Sequence, residues 1–576
     1  MIFHFNTGMM NKKVLSVSRR LVPATLVFVL LFAFSSCSNV PDHVKYIPKD
    51  AVVVVGINAK ALGRKVAWNV ITGSKLFKQW MKDLHDKNAD NFDFGKYGVD
   101  GSNTFYLYIK GDKRYNNGNR VTALVPLTDA GNWEAYVKKQ FPTVNIKQQG
   151  NRKEAVLTQG MYAGWNSKLL IVMNVLPSTD DMTGNTSGNA KPQMDEAGLN
   201  AEMQNAFEIS DANTIMQNKR YASLQHEDHD VLFWMNYDLL MTEYVNESIA
   251  GKMEGISLSN TLWKDAAMTG GIDFDKGAIN GSMRYYMSDS MKEAAKEMGG
   301  TNADKEMLER LPMQNLDMLM AWHLSPKGLK MTLEKAGLLG FANVALAQQG
   351  SGPDMVFDAF TGDIAVALND FALKNETSID SSMGEPMTFS SMKPSLNGVY
   401  AMKINKKENF DKLLAMITEN GLLSLGNGAY AMPISETDSI FIISNEQYAI
   451  VSNKRSTGDA FMKGTYKGQK GPAEATDALS GHPFSFYVDI QQIAKSVDPA
   501  FNHSIHDSAI ISESKRLLSS IMIDGGEYKN ESFEYHMRIN FMNKDENSLM
   551  QLMDFGKRVN DINNLPLQTA YYFPNK

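Results

Sequence analysis

Several blocks of the sequence occur twice along the chain and in the same order, which limits the folds that the chain can adopt. Residues 121–124 resemble residues 399–402 at a spacing of 278, and residues 166–174 match residues 445–453 without gaps at a spacing of 279. The second match keeps two asparagines and an Ile-Val pair. Repeats have to be identified before other features, because a fold assigned without them is wrong for the whole chain.

Two further blocks recur at a shorter spacing. Residues 233–236 resemble residues 486–489 at a spacing of 253, and residues 271–284 align with residues 525–538 at a spacing of 254. One insertion in the first copy, after residue 174, explains the shorter spacing. The resulting layout is two tandem, homologous halves at residues 48–299 and 312–557, a polar insertion at 176–229 and a C-terminal tail at 558–576.

The pattern of apolar residues predicts strands with helices between them. Residues 51–57 form a continuous apolar run rich in β-branched residues, which is typical of a strand buried on both faces. Residues 532–541 alternate between apolar and polar, and residues 278–287 alternate in register with them, which predicts two half-buried strands. Ser325 followed by Pro326 is typical of a helix start. Together these signals predict an α+β fold with mostly antiparallel β-sheets and packed helices.

A short leader precedes the repeats. Four Lys and Arg residues between positions 12 and 20 are followed by an apolar stretch at residues 21–34. This stretch has the length of the apolar region of a signal peptide, and it is too short for a membrane-spanning helix, which needs about 20 residues. We therefore predict a signal peptide at residues 1–36.

The one cysteine of the chain, Cys37, directly follows this leader. The sequence Phe34-Ser-Ser-Cys37 resembles the lipobox of bacterial lipoproteins, in which the cysteine thiol takes a diacylglycerol and the leader is removed. Phe34 stands where that motif usually has Leu. The alternative is an ordinary secretory leader with a cysteine nearby. Lipidation at Cys37 would anchor the protein to a membrane through a tether at residues 37–47.

The segment after the lipobox carries a wider resemblance. Residues 41–55 read PDHVKYIPKDAVVVV, and residues 96–100 read KYGVD. Together with the lipobox, these segments resemble an uncharacterised family of Bacteroidota cell-envelope lipoproteins, a domain of unknown function. The resemblance implies a location in the envelope and brings no catalytic residues.

Charge and composition narrow the location and the partners. The leader carries four positive charges and no negative ones, so the net charge of −6 becomes −10 in the remaining 540 residues. A nucleic-acid partner is not expected, because such proteins normally carry a basic domain or stripe. No acidic cluster follows the cysteine, as it often does in surface lipoproteins of Bacteroidota. We therefore expect the outer membrane, facing the periplasm, while surface display stays open.

The search for catalytic motifs is negative. The sequence contains no phosphate-binding loop of the GxxxxGK[ST] type, no GxSxG nucleophile elbow and no HExxH zinc motif. Cys37 cannot act as a nucleophile if it is acylated. No cofactor is predicted, and an enzyme is the less favoured class.

The sequence contains two weak candidates for a metal-binding site. His226 and His229 could offer two imidazoles to a divalent metal, although the alternative is a solvated polar turn. Asp86, Asn88 and Asp90 resemble the opening of a calcium loop, but the Gly and Glu that an EF-hand needs at its sixth and twelfth positions are missing. A dedicated metal site is therefore not predicted.

Three functions remain open at this point. The first is a non-enzymatic binding or scaffolding module, anchored by lipid in the cell envelope, whose partner is an unknown envelope protein or ligand. The second is a carrier of lipid or another apolar ligand, which would use a surface rich in Met and aromatic residues. The third is a hydrolase without a familiar motif.

Overall fold

The computed structural model describes residues 40–73, 78, 93–111, 119–158, 160–175, 194–241, 262–347, 350–380, 387–418, 422–435, 438–479, 481–496 and 505–563. They form an α+β fold around a large antiparallel sheet, which confirms the predicted class. Strands β1 to β10 are Val53–Asn58, Thr104–Lys110, Arg120–Pro126, Lys147–Gln149, Arg152–Thr158, Met161–Trp165, Leu169–Val175, Val231–Asn236, Ala267–Asp275 and Ala278–Tyr286. Strands β11 to β20 are Leu316–His323, Phe360–Asp380, Met387–Ile404, Leu423–Gly426, Ala429–Pro433, Ser439–Ser444, Tyr448–Ser452, Phe484–Asp489, Leu518–Lys529 and Ser532–Phe541.

Helices lie between the strands in both halves. In the first half, α1 to α7 are Ala59–Lys65, Trp68–Gly73, Ala130–Gln140, Glu196–Phe207, Lys219–Leu224, Tyr237–Leu240 and Lys292–Met298. The second half begins before the predicted residue 312, because Met307 and Leu308 pack into its core. Its helices α8 to α17 are Lys305–Leu308, Pro326–Lys335, Leu339–Ala347, Pro353–Ala359, Lys407–Thr418, Arg455–Lys463, Ala473–Ala478, Ile490–Ser496, Ile505–Leu517 and Ser548–Asn563. The predicted start at Ser325 is confirmed, because its hydroxyl accepts a hydrogen bond from Gly328 N at 3.2 Å and caps α9.

The strands pair in one continuous antiparallel order. Read from the first half outward, the order is β4-β5-β6-β7-β3-β2-β1-β8-β9-β10, and it continues as β20-β19-β18-β11-β12-β13-β17-β16-β15-β14. Counted from its outer strand, each half therefore has the same strand order. This match is what two copies of one fold would produce, while the common origin of the halves stays a prediction.

The pairing of β10 with β20, which we call the seam, joins the two halves. The facing residues are Ser282 with His536, Arg284 with Glu534 and Asn280 with Arg538. At the repeat spacing of 254, each of these strands therefore meets its own counterpart, in the way that two copies meet around a two-fold axis. Arg284 strengthens the seam because its guanidinium lies 2.6 Å from a carboxylate oxygen of Glu227 and 3.5 Å from one of Glu534.

Each half has its main hydrophobic core on the same face of the sheet. The core of the first half includes Val54, Tyr108 and Trp234, and that of the second half includes Leu319 and Tyr487. Residues that pair across neighbouring strands point to the same face of the sheet. The rows of paired residues that cross the seam therefore show that both cores and the polar side chains of the seam lie on one face of the sheet. Smaller cores under α3 and α12 lie at the outer wings.

The strand register corrects one of the sequence matches. Trp234 pairs with Val54 on the neighbouring strand, and the row of paired residues continues through Tyr108 to Thr122. In the second half, the same row of paired residues starts at Tyr487 and ends at Val399. We call two residues reached in this way equivalent. The spacing in this strand is thus 277 and the predicted 278 is wrong, because a slip of one residue places Val121 on the opposite face from Val399.

The spacing between equivalent residues of the two halves changes from 253 to 254 because of a local irregularity in one strand. Strand β19 contains a β-bulge between Gly525 and Glu527, where Gly525 and Gly526 have φ angles of 129° and 88°. A bulge inserts one residue into one strand of a pair. The second half therefore gains one residue at this point without changing which faces of the sheet meet.

The structure contradicts one other expectation and adds helices to two predicted segments. Strand β1 alternates between buried and half-buried residues, so only one of its faces is fully covered. Within the predicted polar insertion, residues 194–229 form α4, α5 and short 3-10 helices, and α4 packs Leu199 and Met203 into the core. Helix α17 runs to Asn563, so the first residues of the predicted tail are helical.

Gly271→Ala tests the packing beside the seam. A Cβ at this position would lie 2.1 Å from the His229 ring, which is held by hydrogen bonds to Glu227 and Asp273. We expect the free energy of unfolding to fall by about 1–3 kcal/mol, as for other overpacked sites. Urea denaturation measures it.

Gly281→Ala is the matched control. Its nearest neighbour is the end of the flexible Met537 side chain at 3.2 Å, so we expect a change within about 0.5 kcal/mol. Equal effects of the two variants would contradict the packing described here.

Candidate functional site: a polar cavity in the first half

A cavity of about 370 Å³ opens between α4, the segment before β1 and strands β2, β3 and β7. Buried residues form its floor: Tyr108, Arg120, Thr122, Met173 and Ala206. Half-buried residues form its walls: Tyr46, Pro48, Lys110, Glu202 and Ile209. Exposed polar residues form its rim: Lys49, Asp50, Asn205, Glu208, Ser210 and Asn213.

Local sequence places α4 over the sheet. Asp195 caps the helix, because its carboxylate accepts a hydrogen bond from Gly198 N at 2.8 Å. Leu199, Met203 and Ala206 follow at spacings of four and three, so they share one helical face and bury it against the core. The same helix directs Glu202 toward the cavity.

Arg120 is the central group of the floor. Strand β3 alternates between buried and half-buried residues, and Arg120 falls on its buried face, where it is only 2% exposed. Its Nη2 lies 3.2 Å from a carboxylate oxygen of Glu202, and its Nη1 lies 3.6 Å from the Met194 sulfur. The ion pair compensates part of the cost of removing the guanidinium from water.

Tyr108 lies beside this ion pair. Burial raises the pKa of its phenol well above the ordinary value, although a hydrogen bond with Thr122 acts in the opposite direction. The phenol therefore stays neutral at physiological pH, and it can donate and accept hydrogen bonds.

The rim is held by short contacts between loops. Lys110 Nζ lies 3.1 Å from a carboxylate oxygen of Asp50. Asn213 Nδ2 donates to the Ser210 hydroxyl at 3.0 Å, and the backbone N–H of Lys49 donates to the Asn213 carbonyl at 2.8 Å. The entrance is therefore built on ordered backbone.

A second buried ionic network adjoins the cavity. Arg152 Nε lies 2.6 Å from Glu154, and its Nη1 lies 3.2 Å from Glu208 on the rim. Tyr162 donates its hydroxyl proton to Glu154 at 2.9 Å. Burial and the neighbouring Glu154 carboxylate raise the pKa of Tyr162, which keeps this phenol neutral as well.

The equivalent positions of the second half are mostly small or apolar. Tyr108, Thr122, Glu154 and Tyr162 correspond in register to Ala367, Val399, Ala429 and Phe441. Arg120 corresponds to the neutral Asn397. This part of the fold therefore does not need buried charge. Because buried ion pairs seldom increase stability over apolar packing, the charges of the first half point to a function.

Of the site residues predicted from the sequence, only His226 and His229 fall within the described part of the chain. Cys37 and the candidate calcium turn at Asp86, Asn88 and Asp90 are outside the described residues. Within the described part of the chain, no group of three or more His, Cys, Asp or Glu side chains is placed to hold a metal ion. His226 and His229 lie near the seam, away from the cavity.

His229 belongs to a pair of contacts that the sequence comparison missed. Its Nδ1 lies 2.8 Å from Asp273, and the Nδ1 of His482 lies 2.6 Å from Glu527. The spacings between these residues are 253 and 254, so the two pairs occupy equivalent places on either side of the seam. The sequence comparison missed this match for two reasons. The first half has Asp where the second half has Glu, and the bulge in β19 changes the spacing by one residue.

A buried His–Asp pair in the second half bears on the hydrolase alternative. His323 Nδ1 lies 2.9 Å from Asp363 Oδ1, which also accepts a hydrogen bond from Asp304 N at 3.0 Å. The other oxygen of Asp363 accepts the Thr361 hydroxyl at 2.7 Å. These contacts tie three segments together and lie outside the cavity of the first half.

Comparisons with known proteins add little. No protein-family model matches the sequence, and the comparison with curated proteins gives no match. Crystal forms III and I of TP0453 are similar over 43% of this chain and about 80% of theirs, at 7–8% identity and a TM-score of 0.23. Similarity at this level supports no conclusion about function. None of the described helices has both the length and the apolar character needed to cross a membrane.

The His229 contacts predict a pH dependence. The hydrogen bond to Glu227 and the Asp273 carboxylate raise the pKa of His229, so folding favours its protonated form. The resulting stabilisation is complete below the unfolded pKa of about 6.5 and is lost as the pH rises through the folded value. Wild type should therefore be more stable than His229→Gln at pH 6, and the difference in the free energy of unfolding should be smaller at pH 9.

Urea denaturation at the two pH values measures this difference. Asp273→Asn serves as a control, because it removes one cause of the raised pKa and should reduce the dependence while keeping the histidine. A difference between wild type and His229→Gln that is the same at both pH values would rule the account out.

Proposed function

We propose that the chain is a lipid-anchored protein of the cell envelope that acts as a non-enzymatic binding module, with the cavity at Arg120 as its ligand site. The observation that carries the binding role is the buried Arg120–Glu202 pair beside a cavity, at a place where the second half has the neutral Asn397. The anchor and the location rest on the leader, on Cys37 and on the resemblance to envelope lipoproteins.

The size and the construction of the cavity suit a small ligand. Its volume lies at the lower end of the range for small-molecule sites, and a few polar groups converge on it from different elements. Arg120 comes from a strand and Glu202 from a helix, while the rim segments are fixed by hydrogen bonds. Groups held in this way can fix the orientation of a ligand with little loss of side-chain freedom.

The alternatives have weaker support. A carrier of lipid needs a long apolar pocket, whereas three cations and three carboxylates line this cavity. A hydrolase needs an activated nucleophile beside a base, and the His323–Asp363 pair is committed to joining segments of the fold. Binding without chemistry therefore fits the cavity best.

Cys37→Ser tests the anchor. Expressed in its native envelope, the wild-type chain should partition into the detergent phase of a Triton X-114 extraction, and the variant should move to the aqueous phase because it lacks the thiol that takes the acyl chains. Mass spectrometry of the N-terminal peptide should find a lipid-modified residue 37. An unmodified cysteine in a wild-type chain that stays aqueous would contradict the anchor.

Arg120→Met tests the binding site. Protein purified from its native envelope should show a non-covalent ligand mass in native mass spectrometry, and the variant should lose it, because the central donor of the floor is gone. Arg310→Met is the matched control, since Arg310 is also largely buried and paired with a glutamate, but it lies in the second half. Circular dichroism establishes that both variants are folded. The absence of any ligand mass, or its retention in Arg120→Met, would contradict the proposed site.

A further inference from the structure

We infer that the cavity at Arg120 takes an uncharged, hydroxyl-rich ring, that is, a neutral mono- or disaccharide. This inference rests on the proposed function and names its ligand class. Four features carry it: the charge balance of the lining, the mixture of donors and acceptors, an aromatic side chain in the wall, and the covered edges of the strands beneath.

The charges that line the cavity balance one another. Each lining carboxylate has a cation beside it: Asp50 lies 3.1 Å from Lys110, Glu202 lies 3.2 Å from Arg120, and Glu208 lies 3.2 Å from Arg152. Lys49 on the exposed rim is the one lining cation outside these three pairs. Deeper in the cavity, a ligand with a net charge would meet both signs and would compete with one partner of an existing pair. A neutral ligand accepts hydrogen bonds from the cations and donates to the carboxylates while the pairs stay intact.

Side chains that carry both donors and acceptors line the cavity. Asn205, Ser210 and Asn213 on the rim and Thr122 and Tyr108 on the floor each carry groups of both kinds. A hydroxyl group can donate one hydrogen bond and accept two, so a ring with several hydroxyls can satisfy such a lining from any side. Ligands that only accept or only donate would leave part of it unpaired, at a cost of about 1–3 kcal/mol for each buried group.

An aromatic side chain completes this arrangement. Tyr46 lies in the wall, is half-buried and is steadied by an edge-on contact with Phe207 at 6.2 Å. A tyrosine ring has an apolar face and a polar tip. The C–H face of a sugar ring can pack against the former while its hydroxyls reach the polar rim.

The strands below the cavity exclude an extended peptide. A peptide that binds by strand addition needs a free sheet edge, but β2 lies between β1 and β3, and β3 lies between β2 and β7. Their backbone groups are already committed to neighbours. Recognition must therefore come from side chains, which suits a compact ring better than a chain.

Saturation-transfer NMR tests the ligand class on the full-length protein. The probes are glucose, galactose, mannose, N-acetylglucosamine, maltose and cellobiose, with glucuronate and glucosamine as charged counterparts. We expect transfer to at least one neutral sugar, with affinity at least tenfold above that of its charged counterpart. Preference for a charged sugar, or no transfer to any neutral probe, would overturn the inference.

Variants locate the binding. Arg120→Met and Tyr46→Ala should each weaken it at least tenfold, whereas Tyr46→Phe and Arg310→Met should retain it. The Phe variant keeps the packing surface, so it separates loss of the ring from loss of folding. Binding that survives both Arg120→Met and Tyr46→Ala would place the sugar elsewhere and overturn the inference.

The experiments can contradict the proposed binding site and the proposed ligand class independently of each other. If native mass spectrometry finds a ligand that depends on Arg120 but none of the sugars binds, then the ligand class is wrong and the binding site stands. If there is neither a ligand mass nor sugar binding, then both are wrong.

Discussion

The pairing of β10 with β20 is the contact on which the architecture depends. A sheet of ten strands has two edges, and unpaired backbone groups at an edge invite association with other chains. The seam removes one edge from each half by joining strands that occupy the same place in the strand order. Arg284 adds charge contacts on both sides of the seam, so the link involves side chains as well as the backbone ladder.

Once the two halves share one sheet, each half can change without the other. The register gives a direct comparison of equivalent positions, and it shows Arg120, Glu154 and Tyr162 where the second half has Asn397, Ala429 and Phe441. Uncharged side chains suffice for stability at these places in the second half. The first half instead keeps paired charges around a cavity, an arrangement that is costly unless something binds there.

Some of the fold could be predicted from the sequence, because the signal was local and periodic. The strand at residues 532–541 and the cap at Ser325 are such cases, and the structure places both where they were predicted. Burial along this strand does not alternate as expected, because the polar Ser532 and Asn540 are buried as well. The match of residues 166–174 with 445–453 also has a physical cause. Asn166 and Asn445 each accept hydrogen bonds from two following backbone N–H groups in the same hairpin turn.

Other features depended on contacts that no single segment reveals. The helix α4 was missed because its segment is rich in polar residues and was interpreted only as a polar insertion, although Leu199, Met203 and Ala206 have helical spacing. Short blocks with few identities allowed a slip of one residue in β3, which only the pairing partners correct. Arg120 reads in the sequence like any surface arginine at a strand start. Its role follows from the helix that places Glu202 opposite it.

The central claim is that the cavity at Arg120 holds a ligand and that the equivalent place around Asn397 does not. A crystal structure of the protein purified from its native envelope tests this directly. The account predicts ligand density between Arg120, Glu202 and Tyr46, and ordinary side-chain packing around Asn397. A cavity at Arg120 that holds only water, or a ligand seated against Asn397, would contradict it.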